Sequence, residues 1–431
     1  MRSTVCVVAI GVASFVSVAR AQDPAAPTFR PFPGSQPDPI VKGLVDRLEL
    51  EKYKATIKGL TQFGDRRQGT DRNRAALDWI EAQLKSYGCT NTERLTYTYP
   101  SPEASDPDAP ARGAAPGARG RGAANPGSPG SLAGTDTRRG REGGSSQFGP
   151  RARTGVYQPD APGAAALDPR LRELNAQPTT PGQRQNVYCT KIGTTHPDEM
   201  YIVGGHMDGH GWGEAANDDG SGTALVMELA RVLSSPDVQT ERSIRFVLWN
   251  NEETGLNGAW AYVNQRKNLQ GTEDPPGSGR YPEPKWLGMI QHDMMMWDHG
   301  MPGADGKVPA EQRREADVDI EFQMNSTLAE GAQKLAWALK AASDKYATDY
   351  PASVGPHMTN TDSTPFLNLV PAISVRENER GMQIGAGSDP NWHQPSDVFA
   401  TYTDKDFRLG LNAAQTTLGA IAQLAGATVK K

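Results

Sequence analysis

A basic surplus is missing from this chain: 45 lysines and arginines face 50 aspartates and glutamates, a formal net charge of −5. A nucleic-acid binder would carry the opposite balance. Long apolar runs are missing after the N-terminal end, which leaves the processed chain no segment able to cross a bilayer as a helix. Cysteine is scarce, with three in 431 residues. A chain of this length is no small stapled scaffold; it suits one large α/β domain with insertions. Glycine and proline are abundant instead, at 46 and 33 residues. Such a surplus signals an unstructured segment wherever it clusters.

The single apolar run reads as a secretory signal. Arg2 supplies a positive start, Val5 to Val18 is short and mostly apolar, and Ala19-Arg20-Ala21 offers a small-x-small cleavage site before Gln22. Residues 1–21 are therefore read as a signal peptide, and the protein as periplasmic or secreted. Cys6 leaves with the signal, so Cys89 and Cys189 remain. Each lies in or beside a predicted strand, and a disulfide between them is expected if those strands are neighbours; two buried thiols are the alternative. Residues 22–36 are rich in Pro and Ala and read as a linker, followed by one domain over 37–431. That domain is interrupted at 101–183, where Gly, Pro, Ala, Ser and scattered Arg replace apolar periodicity, the mark of a solvated, disordered insertion. Arg-Gly spacing there also suits a polyanion-binding arm.

Helical patterning covers Asp38 to Leu60 and Asp71 to Tyr87, the latter capped at Thr70 or Asp71 and ended by Gly88. A strand follows at Thr92–Tyr99. From Gln185 strands and helices alternate. Strands are predicted at Asn186–Ile192, Met200–Gly205, Ser243–Asn250, Trp286–His292, Asp317–Met324 and Pro371–Arg376. Helices are predicted at Ser221–Ser234, Leu256–Lys267, Thr327–Ala347 and Asp404–Ala425. Runs such as Ile244–Trp249 demand burial on both faces, as in an α/β sheet covered by helices. Chemistry in such sheets sits just past the strands' carboxyl ends.

Five segments at those ends, or in loops, carry metal-binding residue types. Gly204-Gly205-His206-Met207-Asp208 offers an imidazole and a carboxylate able to hold its other ring nitrogen. Ala216-Asn217-Asp218-Asp219-Gly220-Ser221-Gly222 leads into a helix, where an acid could bridge two cations or simply cap the helix. Asn251-Glu252-Glu253 places two adjacent carboxylates that point apart, one for metal and one for a proton from water. Gln291-His292-Asp293-Met294 and Asn391-Trp392-His393-Gln394 complete the set.

In this order the segments resemble the M28 peptidases, co-catalytic zinc exopeptidases that include bacterial leucyl aminopeptidases and plasma glutamate carboxypeptidase-like proteins. The resemblance covers about residues 40–100 and 184–425. It implies a three-layer α-β-α fold with a mixed, mostly parallel central sheet, of the zinc-exopeptidase (phosphorylase/hydrolase-like) kind. It implies two zinc ions, with cobalt or manganese as substitutes. Asp218 would bridge them, Glu253 and His393 would complete one site, and His206 and Asp293 the other. Glu252 matches the family's general base and Asp208 the partner of His206. A cis peptide is implied between Asp218 and Asp219. Two departures stand out: Asn217 replaces an acid common beside the bridging aspartate, and no tyrosine occurs in Gly355–Asp362, where His357 and Thr359 are the candidate oxyanion donors. Trp212, Trp297 and Trp392 flank ligand segments, with core packing expected for at least two.

The resulting expectation is an exported aminopeptidase acting on peptides, with no nucleic-acid partner. A carboxypeptidase or dipeptidase, a glutaminyl cyclase, a catalytically silent binding module and a di-metal phosphoesterase are the competing readings. Retention of every proposed ligand and of Glu252 argues against the silent module.

Overall fold

The computed structural model describes residues 36–99, 169–210, 213–297, 318–356, 361–377, 389 and 391–430. The signal-peptide reading, almost all of the linker, residues 101–168 of the predicted insertion, Trp212, His357 and Thr359 lie outside them. Within 101–183, the described residues 169–183 hold the helix Pro169–Asn175 and the start of a strand at Gly182. Leu171 in that helix is buried, and the Arg72 guanidinium donates to the Leu174 carbonyl.

The apolar run at Arg242–Trp249 is a strand buried along nearly its whole length. Its interior charge, Arg245, is matched inside the protein by Glu283 at 2.5 Å and the Tyr262 hydroxyl at 2.6 Å. Numbered along the chain, the strands are β1 Thr92–Tyr99, β2 Gly182–Lys191, β3 His196–His206, β4 Val238–Gln239, β5 Arg242–Trp249, β6 Lys285–His292, β7 Val318–Phe322, β8 Ala352–Gly355, β9 Ala372–Glu377 and β10 Thr428–Val429. Eight of them form one sheet in the order β1-β2-β5-β3-β6-β9-β7-β8. Its centre, β5-β3-β6-β9, is parallel, while β1, β2 and β7 join by antiparallel pairings. The mixed, mostly parallel sheet expected from the sequence is therefore present.

Successive side chains of a strand point to opposite faces, and the core divides accordingly. Met200 and Ile202 of β3 pack with Val247, Trp249, Tyr262, Trp286 and Phe366. That face is covered by the helix Asn257–Arg266 and the short 3-10 turn Thr364–Phe366. Val203, Phe246, Ile290 and Ile373 face the other, larger cluster beneath the helices Leu50–Thr61, Asp71–Ser86, Gly220–Leu233, Ala329–Tyr346 and Asp404–Leu424. Three layers result. The patterning over Asp38–Leu60 is shared by two helices, Pro39–Val45 and Leu50–Thr61, the first capped by the Asp38 carboxylate on the Ile40 and Val41 amides. The four-residue β8 was not foreseen, being too short to show a period.

β1 and β2 are antiparallel neighbours with Thr92 opposite Cys189. That register brings Cys89, just past the end of the helix Asp71–Ser86, to Cys189; the two form a disulfide with a Cα–Cα distance of 6.0 Å. Among the described residues no helix is long and apolar enough to cross a membrane.

Candidate metal centre

Chain order reverses direction around β3: the connection through the helix Gly220–Leu233 leads to β5 on one side of it, and β6 lies on the other. A crevice opens at the carboxyl ends of strands at such a switch. His206 is the last residue of β3, Glu252 and Glu253 follow β5, and Asp293 follows β6. Asp218 precedes the helix Gly220–Leu233, and His393 comes from the loop after β9. Their side chains meet. Asp218 Oδ1 lies 3.2 Å from His206 Nε2, and its Oδ2 lies 2.9 Å from His393 Nε2. His206 Nε2 is 3.5 Å from Asp293 Oδ1, and His393 Nε2 is 3.0 Å from Glu253 Oε2. Two groups of three donors, each within 4.8 Å of one another, could hold a metal ion: His206, Glu252 and Asp293, and His210, Glu253 and His393.

The charges suit a bound cation. Burial opposes ionisation of Asp218, yet hydrogen bonds to His206 and His393 hold its carboxyl well below the usual range. Burial pushes Glu252 well above its ordinary range and Asp208 up to about 7. Glu253 Oε1 and His393 Nδ1 are buried without a hydrogen-bond partner. Arg376, 3.1 Å from Asp293 Oδ2, is the guanidinium that meets these acids. Buried carboxylates in such excess are offset by protonation or by a bound cation, and imidazole with carboxylate is a donor set that suits zinc. The residues fit the group.

The loops are held by buried hydrogen bonds. The Asp218–Asp219 peptide is cis. Asp219 Oδ2 accepts from the His206 amide at 3.0 Å, while its Oδ1 accepts from Gly222 at 2.8 Å and Met294 at 3.1 Å. One carboxylate thus ties the ends of β3 and β6 to the helix N-terminus. The Asn217 amide group donates to Glu377 and Asp389, each at 2.9 Å, and its oxygen accepts from the Met295 and Met296 amides. Arg66 is fully buried and clasps the loop after β3, donating to the carbonyls of Met207, Glu214 and Ala215 at 2.7–2.8 Å. Arg66, Ala215, Asn251, Met294 and His393 all have positive φ, a conformation that non-glycine residues adopt sparingly and that concentrates at functional sites.

Most of the predicted site residues converge, with adjustments. His206 Nδ1 meets the backbone carbonyl of Asp208 at 3.0 Å, its carboxylate being 4.0 Å away. The Asp208 carboxylate instead accepts from the Glu252 amide at 3.1 Å. His292 is turned inward, between Gly204 O and Thr417 Oγ1, and burial drops its pKa to about 4. Trp297 and Trp392 are buried, and the Trp392 ring packs 4.5 Å from that of His393. His210, Arg66, Glu377 and Asp389 were not singled out from the sequence; Asp397 was noted only as an acid four residues after His393. Asp219, named from the sequence for its peptide bond with Asp218, also caps the helix Gly220–Leu233.

The sequence model for peptidase family M28 matches residues 186–415. Over 80 residues the chain is 41% identical to aminopeptidase YwaD of Bacillus subtilis (strain 168), a stretch covering 18% of this chain and 17% of that protein. Over 85 residues it is 33% identical to carboxypeptidase Q of Xenopus laevis, covering 20% of this chain and 18% of that one. The matched stretch thus spans less than a fifth of the length of these curated relatives. Among solved structures, the aminopeptidase from Aneurinibacillus sp. strain AM-1 aligns with 89% of this chain and 96% of its own, with a TM-score of 0.53 at 18% identity. BSAP, a zinc aminopeptidase from Bacillus subtilis, aligns over the same shares with a TM-score of 0.55 at 16% identity. At such identities the likeness is one of fold.

Proposed function

Since this chain belongs to peptidase family M28, we propose that it is an exported di-zinc exopeptidase that removes residues from the amino terminus of peptides. The observation that carries the reading is Asp218, one oxygen of which faces His206 and the other His393. A carboxylate so placed is a bridge between two positions. His206, Asp218 and Asp293 would hold one ion, and Asp218, Glu253 and His393 the other.

Zinc bound there supplies Lewis acidity, which acidifies water and polarises a carbonyl oxygen. The remaining work falls to the chain. Glu252 sits beside His206 and Asp293, and burial raises its pKa above the ordinary carboxylate range, which strengthens it as a proton acceptor. It takes a proton from the water whose oxygen adds to the scissile carbonyl carbon. As the C–N bond breaks, it hands that proton to the leaving amine. Asp208 fixes the Glu252 backbone through its amide, and the Asp208 carbonyl orients the His206 ring. His357 and Thr359 are proposed as donors to the carbonyl oxygen. The disulfide supports export, since such bonds persist in oxidising compartments.

Aminopeptidase is preferred over carboxypeptidase because, over the matched stretches of the relatives described above, identity is 41% to aminopeptidase YwaD against 33% to carboxypeptidase Q. A mass-spectrometric time course on zinc-loaded protein tests this, using free, acetylated and N-terminal Gln peptides. Stepwise loss of N-terminal residues from the free peptides alone is expected. C-terminal trimming would make the protein a carboxypeptidase, and ammonia loss from Gln peptides alone would make it a cyclase.

A further inference from the structure

Three donors are assigned above to the Glu253/His393 position, yet a fourth stands beside it. We propose that His210 is a displaceable protein donor to that position, an inference that rests on the di-metal reading. The His210 ring lies parallel to that of His393, with centroids 4.4 Å apart and planes within 4°. Its Nδ1 is 3.6 Å from Glu253 Oε2, the same oxygen that His393 Nε2 approaches at 3.0 Å. One ligand atom from each of the three residues falls inside a 4.8 Å span. Zinc–ligand bonds of about 2.0–2.2 Å allow two donors to one ion to stand up to about 4 Å apart. The two separations to Glu253, 3.6 and 3.0 Å, already lie inside that reach, and the span of the whole trio exceeds it by at most about 0.8 Å.

Parallel rings direct their in-plane lone pairs side by side, so a small rotation of one ring is needed to aim both at a single ion. His210 is the donor nearest solvent. Its side chain is 18% exposed, against 6% for Glu253 and for His393. It approaches from the solvent side, where a donor can also leave. A catalytic zinc keeps one position open beyond three protein ligands. His210 fills that position at rest and yields it when substrate enters. Among the described residues, the other position has His206 as its one imidazole, so the two ions should differ in affinity, and His210 should matter to one alone.

Two variants test this by metal binding. His210→Asn, titrated with zinc against a chromophoric chelator, should bind one of its two ions at least about tenfold more weakly than the wild type, the scale of loss seen when metal surroundings are disturbed. The other ion should be unaffected. His210→Cys on a Cys6→Ser background should, with cobalt, show thiolate-to-metal charge transfer in the near ultraviolet; Cys89 and Cys189 are paired and offer no thiolate. Wild-type affinities in His210→Asn, with no charge transfer from a cysteine variant carrying two cobalt ions, would overturn the assignment. Weakened binding without charge transfer would also overturn it, reducing His210 to a residue that positions Glu253. A wild type that takes up fewer than two ions would instead overturn the di-metal reading, and this inference with it.

Discussion

Asn217 occupies a position where an acid would be expected from the family resemblance, and its surroundings explain the choice in this chain. Its amide nitrogen is shared by two carboxylates, Glu377 and Asp389, while Asp397 accepts from its backbone amide at 2.8 Å. Burial raises the pKa of Asp389 and pushes that of Asp397 up to about 8. A fourth acid would remove both amide donors and add a charge to a crowded, water-poor cluster. Asn217→Asp should therefore cost on the order of 3 kcal/mol, the scale of breaking a buried charged network. Its sign with pH follows from where the new carboxyl titrates. Repulsion raises its folded pKa above the unfolded value of about 3.9, so the loss is small below that pH and grows as pH rises through it. Urea denaturation of both proteins at several pH values reads this directly; a constant difference across the range would rule out the charge explanation.

At the scale of elements, the site depends on how closely the helix Gly220–Leu233 approaches the end of β3. A Cβ on Gly205 would come within 2.9 Å of the Gly222 carbonyl carbon and 3.0 Å of the Thr223 nitrogen. Those are backbone atoms, and they cannot swing aside. Gly205→Ala should displace the helix N-terminus from His206, at a cost of about 1–3 kcal/mol typical of overpacking. Turnover should fall more than stability alone explains, because Asp218 moves with the helix. Thermal melts and turnover on the same preparation distinguish this from an indifferent surface change. Elements of this kind were legible in the sequence. Continuous apolar runs marked β3, β5 and β6, and helical periodicity with capping residues marked the helices between them. The polar residues at the strand ends were legible as candidates because such types seldom follow apolar runs without a reason. What the sequence concealed is the support. Asp65-Arg66-Arg67 carries no local pattern that announces burial, yet Arg66 is buried against carbonyls about 140 or more positions away in the chain. Asn217 meets partners 160 and 172 positions away. No local pattern announces contacts at that range. His210 was overlooked for another reason: it stands just past the quoted His206–Asp208 segment, after Gly209, in a loop with no period to say which way its ring points.

For the whole molecule, the sheet and its two cores form a rigid frame, and the loops it carries gather a set of buried acids that the protein's own cations only partly offset. The disulfide closes a separation of 100 residues between the helix Asp71–Ser86 and β2, bracing the sheet edge next to β5, from whose end Glu252 and Glu253 follow. The central claim is that this frame presents two metal positions bridged by Asp218, with Glu252 left to move the proton. Zinc per chain in Glu252→Gln, measured by plasma mass spectrometry on the same sample used for turnover, tests it most directly. Both ions should remain, as in the wild type, while turnover falls by about 10²–10⁴-fold, the usual contribution of a positioned proton acceptor. Full turnover in Glu252→Gln, or a wild type holding fewer than two ions, would contradict the account.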